Sequence, residues 1–231
     1  MRRSARAAAL AAALLALAPA AAGAATSVDV GKTCYAEGDS IAVEGEGFSP
    51  DANVRLALER ADGSVLEQTS EPTSSSDGTV SGKYRVDQET GWFKSTQTRF
   101  QMTLRLTDLT DQTRAPATTS FIFSRWNVGV SAVGGRIHPA RPVTLAAVGY
   151  TNAVGKALYA HWTLGSKRVF TKRLGVLRSP CGDLRKRLSR GFPFRPVRPG
   201  SYKVTFNSSA TNAKAKDSIV HTAARVRRLI P

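Results

Sequence analysis

Cysteine and histidine are scarce in this 231-residue chain, which contains two Cys and three His. No Cys-x-x-Cys pair and no cluster of His is present to complete a tetrahedral site, so a zinc-built fold is excluded and no cofactor is expected. His138 and His161 stand apart, and neither has an evident partner for acid–base work or metal ligation. His138 precedes Pro139 and reads as a turn residue, while His161, next to Trp162, reads as an exposed strand position. Beyond residue 25 no segment is apolar enough to cross a bilayer, which takes about 20 apolar residues. Acidic residues nearly vanish from the second half, where residues 125–231 hold only Asp183 and Asp217.

What is present begins with an export pattern. Arg2, Arg3 and Arg6 precede an uncharged Ala and Leu run from Ala7 to Ala18, Pro19 breaks it, and Ala22-Gly23-Ala24 supplies small residues. A basic start, a short apolar middle and a small-residue end predict a secretory signal at 1–24, cleaved after Ala24 or Ala25. A lipid anchor would need a Cys at the cleavage point, and the first Cys is Cys34. The remaining chain, about 207 residues, fits two domains of about 100 residues better than one. The expected division is 26–124, 125–226 and a basic tail at 227–231. In an oxidising compartment, Cys34 and Cys181 either pair and tie the halves together or lie buried as two thiols. An intra-domain bridge is excluded, because each half has one Cys.

The two halves differ in charge. Residues 26–124 carry 9 Lys and Arg against 15 Asp and Glu, a net of −6; residues 125–231 carry 21 against 2, a net of +19. A field of that size attracts polyanions. For an exported chain these are cell-wall polymers, anionic lipid head groups or acidic polysaccharides, with extracellular DNA a further source and no specific nucleic acid expected. The densest band is Lys167, Arg168, Lys172, Arg173, Arg178, Arg185, Lys186, Arg187 and Arg190, with Arg195 and Arg198 after it. Arg forks suit phosphate and carboxylate. Two plainer readings stand beside this one. The basic half docks on the acidic half, within or between chains, or the cations are scattered over several solvated faces.

Both halves read as strands. From Phe100 to Thr107 apolar and polar residues alternate, the period of a strand with one buried face. Val54, Leu56 and Leu58 alternate likewise, as do Ile41 with Val43, Tyr84 with Val86, and Phe121 with Phe123. Ala61-Asp62-Gly63-Ser64 reads as a hairpin tip and Ser76-Asp77-Gly78 as a turn. In the second half the runs are Val128, Val130 and Ala132; Val143, Leu145 and Ala147; Leu158, Ala160, Trp162 and Leu164; Arg168 to Arg173; and Tyr202, Val204 and Phe206. Leu184 and Leu188 are four apart and suggest a short basic helix or a helical turn. A final strand ending near Val226 is expected, the boundary between halves falls near Ser124 to Asn127, and no exact repeat joins them. The fold class expected is all-β, two immunoglobulin-like antiparallel β-sandwiches in tandem.

The run Val43-Glu44-Gly45-Glu46-Gly47-Phe48-Ser49-Pro50-Asp51-Ala52-Asn53-Val54, with Ser76-Asp77-Gly78-Thr79-Val80-Ser81-Gly82 later, resembles the immunoglobulin-like and TIG-type modules of secreted actinobacterial proteins. Val80 stands where such modules often have Phe. The resemblance covers about 28–124 and implies adhesion, scaffolding or carbohydrate contact, with no catalytic residue. The second half, with Pro180-Cys181-Gly182 and Phe192-Pro193-Phe194-Arg195-Pro196, is similar to secreted actinobacterial proteins without assigned activity. Gly38-Asp39-Ser40-Ile41 is similar to the nucleophile block of GDSL-type esterases, which would pair Ser40 with His221 and Asp217. Against this, the Asp-to-His spacing is one residue too long and the Gly-x-Asn-Asp block is missing. Gly-Asp-Ser before a strand is also an ordinary turn. The expected function is therefore a non-enzymatic binding or surface-associated protein.

Overall fold

The computed structural model describes residues 25–69, 72–85, 92–93, 96–131, 136–223, 225–227 and 230; the predicted signal at 1–24 lies outside them. The described chain is all-β. In the first half the strands are β1 (Ser27–Val30), β2 (Cys34–Ala36), β3 (Ser40–Glu46), β4 (Val54–Arg60), β5 (Val65–Thr69), β6 (Val80–Arg85), β7 (Arg99–Asp108) and β8 (Ala117–Ser124). In the second half they are β9 (Asn127–Ser131), β10 (Val143–Val148), β11 (Ala157–Leu164), β12 (Lys167–Val176), β13 (Leu184–Leu188), β14 (Tyr202–Asn207) and β15 (Ile219–Thr222).

Each half is a two-layer sandwich. The first stacks a sheet of order β1-β3-β6 on one of order β2-β8-β7-β4-β5. The second stacks β13-β10-β9 on β12-β11-β14-β15. Among the described residues the named strands pair antiparallel except β2 with β8, and the isolated bridge of Ile137 with Ala223 is parallel as well. When β2 is set aside, the connectivity of the two halves is identical: β1, β3 and β6 correspond to β9, β10 and β13, and β4, β5, β7 and β8 to β11, β12, β14 and β15. The sequence shows no such repeat, because the shared feature is the order of burial and turns and not residue identity.

Alternation places the cores. Met102, Leu104 and Leu106 on β7 are buried against Ile41 and Val43 of β3, Leu56 and Leu58 of β4, and Phe121 and Phe123 of β8. The second core gathers Val143, Leu145 and Ala147 of β10, Leu158, Ala160 and Trp162 of β11, and Tyr202, Val204 and Phe206 of β14. Each buried Val, Leu, Ile, Met or Phe among them contributes about 1.5–3 kcal/mol through removal from water. The Gly-x-Gly-Phe corner and the Asp-Gly turn belong to one feature. Phe48 is buried, its amide donates to the Gly78 carbonyl at 3.1 Å, and a Cβ on Gly78 would lie 2.3 Å from the Phe48 carbonyl oxygen. At the expected hairpin tip the Asp62 carboxylate accepts from the Ser64 amide at 3.0 Å.

Two expectations are corrected. Leu184 and Leu188 belong to strand β13 and not to a helix: β13 pairs with β10 so that Leu184 faces Ala147 and Leu188 faces Val143. A separation of four places two residues on one face in either geometry, so spacing alone did not discriminate. The last strand is also short, ending at Thr222, with isolated bridges beyond it at Ala223, Val226 and Ile230. Ile230 exchanges backbone hydrogen bonds with Val197 at 2.9 and 3.1 Å, so the expected tail is tied to the second sandwich at that residue.

Candidate functional site

The junction between the halves is short and cross-linked. β8 ends at Ser124 and β9 begins at Asn127. Cys34 on β2 is bonded to Cys181 across the junction, with Cα atoms 5.4 Å apart. The Gly38-Asp39-Ser40 segment is a turn, and Asp39 is its working residue. Its carboxylate accepts from the Ala36 amide at 2.9 Å, the Thr151 hydroxyl at 2.6 Å and the Asn152 amide group at 2.9 Å. Lys32 donates to Asn152 at 2.7 Å, and the Trp126 amide donates to Glu37 at 3.1 Å. An ion pair crosses the junction, Arg99 to Asp183 at 2.9 Å. Its polarity is the reverse of the halves' net charges, since the acidic half supplies the cation. Beside these contacts lies a cleft of about 590 Å³ walled by Glu37, Asp39, Trp126, Tyr150, Lys216 and Asp217, among others. Burial, with Asp217 nearby, holds the Tyr150 phenol far above the usual range, and its hydroxyl donates to the Phe206 carbonyl at 3.3 Å.

The esterase residues are not wired as a relay. Ser40 lies on β3 of the first sandwich, Asp217 accepts from the Ser208 amide at 2.8 Å, and His221 Nε2 is buried without a hydrogen-bond partner. His161 corrects an expectation. It is 0% exposed, because the segment after β14 folds over the outer face of β11 and β14. Its Nδ1 meets the Thr171 hydroxyl at 3.0 Å, and its Nε2 meets Asn207 Oδ1 at 3.0 Å and the Ser209 carbonyl at 2.9 Å. Both Nε2 neighbours are acceptors, so that nitrogen carries the proton. Asn207, the first residue of an Asn-Ser-Ser pattern, is buried and donates to Asn212 and Ser218, leaving no room for a glycan.

Seven of the nine band residues lie on two edge strands, β12 and β13. β12 pairs only with β11 and β13 only with β10, and the two free edges meet on one side of the sandwich, where Gly175 of β12 packs against the Leu184 side chain. Lys167, Arg168, Lys172 and Arg173 lie on β12, and Arg185, Lys186 and Arg187 on β13. Arg178 lies in the connection between these strands, and Arg190 directly after β13. Register sorts them by direction. Arg185 and Arg187 share the outer face with Ala146 and Thr144 of β10, and Arg173 the outer face with Tyr159 of β11. Lys172 and Lys186 sit at core-facing positions opposite Ala160 and Leu145, yet Lys172 is only half-buried and Lys186 is exposed. Among the described residues, no carboxylate forms an ion pair with any of the nine.

The other half supplies an internal comparison. The corresponding edge of the first sandwich, β5 with β6, carries only Glu67, Lys83 and Arg85 as charged residues. It borders a groove of about 570 Å³. The same connectivity therefore stands without a cationic edge. Comparison with known protein families and with curated proteins finds no match to this sequence. Sequence reasoning found the cations but missed their arrangement, and it missed Asp39 as the junction's hub, where the only local signal was the turn itself.

Proposed function

We propose that the chain is a secreted, non-enzymatic binding protein of two immunoglobulin-like sandwiches whose C-terminal unit contacts an anionic surface polymer. The observation that carries this reading is the β12–β13 edge, seven cations on two adjoining strands without a carboxylate, where the equivalent edge has a near-neutral set. Edge strands commonly carry a charge or two that blocks adventitious pairing, and Lys172 and Lys186 suffice for that task. The outward-facing Arg173, Arg185 and Arg187 exceed it.

Immunoglobulin-like kinship is supported by the strand connectivity and by Tyr202 at the start of β14, whose hydroxyl donates to the Arg198 carbonyl at 3.1 Å, as a tyrosine corner does. Export is supported by the basic–apolar–small leader and by the disulfide. Retention of the protein on purified cell wall at low salt, with release at high salt, is the expected result; absence of retention at low salt refutes the reading. A second reading, pairing of acidic and basic halves of different chains, draws on the net of −6 in residues 26–124. It predicts an oligomer in size-exclusion at low salt that dissociates at high salt.

A further inference from the structure

We infer that the β12–β13 edge is a track for an extended polymer with phosphate in its backbone, a polyol phosphate chain. This rests on the polyanion reading above and narrows it. Three features of the edge lead there.

The first is linearity. β12 has ten residues, which at the usual strand rise extend about 33 Å, and outward cations two residues apart, such as Arg185 and Arg187, are spaced by about 6.6 Å. A compact anion reaches one or two of these groups, whereas a chain reaches the set. The second is direction. The cations occupy the outer faces of both sheets, and the core-facing positions of Lys172 and Lys186 also reach solvent. A backbone phosphate exposes its free oxygens on more than one side of the polymer axis, so cations on different sides can share it. A carboxylate pendant from a sugar ring presents to one side. Six of the nine are Arg, whose planar fork suits phosphate oxygens. The outer face beside Arg185 and Arg187 is floored by small residues, Gly129, Ser131, Thr144 and Ala146, which leave room for a chain to lie close.

The third feature sets nucleic acid aside. Base stacking on aromatic rings is a principal source of affinity in proteins that bind single strands. Here Phe170 and Trp162 pack on the core, Tyr159 is stacked over His161 with centroids 6.5 Å apart, and the exposed large apolar residues nearest the band are Val169 and Val176. Among the described residues, the ring beside Arg173 on the outer face, Tyr159, is half-buried and already stacked on His161.

The full exported chain is titrated with poly(glycerol phosphate) fragments of increasing length, with glycerol phosphate itself, with oligothymidine of matched phosphate number, and with polyglutamate of matched charge. Affinity is expected to rise with fragment length and level off near the span of the edge, with no competition from the monomer. With about four phosphates engaged, affinity falls about fifty-fold between 50 and 200 mM salt, as the counterion-release slope for single strands requires. The double variant Arg185→Gln/Arg187→Gln, at two exposed positions, loses at least tenfold, and Lys83→Gln on β6 leaves binding unchanged. Oligothymidine binding tenfold tighter, polyglutamate binding as well, or affinity independent of length each overturns the assignment. If none of the polymers binds at 50 mM salt, the broader polyanion reading falls with it.

Discussion

At the scale of single residues, buried polar groups set the strongest constraints. His161 is fully enclosed and satisfied by Thr171, Asn207 and Ser209. His161→Ala removes the ring and orphans those partners, and should cost about 2–4 kcal/mol in chemical denaturation, mostly as a lower midpoint. Asp108, at the end of β7, accepts from the amides of Ser49 at 2.7 Å, Thr110 at 2.8 Å and Asp111 at 2.9 Å. Burial pushes its carboxyl upward, but the Ser49, Asp111 and Thr110 amides outweigh burial and hold it below the usual range. A depressed folded-state value stabilises above the unfolded pKa, about 3.9, and that contribution is lost as pH falls through the folded value. Asp108→Asn should therefore lower stability at neutral pH and flatten its decline below about pH 4, measured by denaturation at a series of pH values. Gly78 has φ +78° and its missing Cβ faces the Phe48 carbonyl. Gly78→Ala should cost more than the roughly 1 kcal/mol of a strained turn alone, because the corner must also open.

At the scale of elements, the two edges of the second sandwich do two different things with one kind of residue. Lys172 and Lys186 occupy core-facing positions on edge strands, where a charge prevents another strand from adding. Replacing both with Val should raise concentration-dependent self-association, read by light scattering. Arg185 and Arg187 point away from the core, so their loss should act on binding and not on association. Much of this level was legible beforehand. β7, β10, β11 and β14 follow their period-two patterns because each has one dry face. β13 was not legible, since its two Leu fit a helix and a strand equally and only pairing with β10 chose between them.

At the scale of the molecule, the halves are held by a disulfide closing a sequence separation of 147 residues and by the Asp39 hub. In the chain-entropy model a loop of that length stabilises by about 5 kcal/mol. Cys34→Ala/Cys181→Ala should accordingly lower the thermal midpoint by calorimetry, with the first and second sandwiches beginning to unfold at different temperatures. Asp39→Ala leaves the Thr151 and Asn152 side chains without their acceptor and should loosen the junction, visible as a broader spread of interdomain distances by solution scattering. The junction uses none of the nine band residues, so these variants should leave polyanion binding nearly intact.

The sequence by itself determined that the chain is built of strands, where most of them lie, and that positive charge is concentrated in the second half. These are local properties: alternation, turn chemistry and composition act within a few residues of each other. Only the tertiary structure decided that His161 is enclosed, that Asp39 and the 3₁₀ turn Thr151–Ala153 lock the halves, and that scattered Lys and Arg converge on one edge. Those outcomes depend on which strand lies beside which. Pairings that join residues tens to more than a hundred positions apart leave no periodic trace in the chain between them.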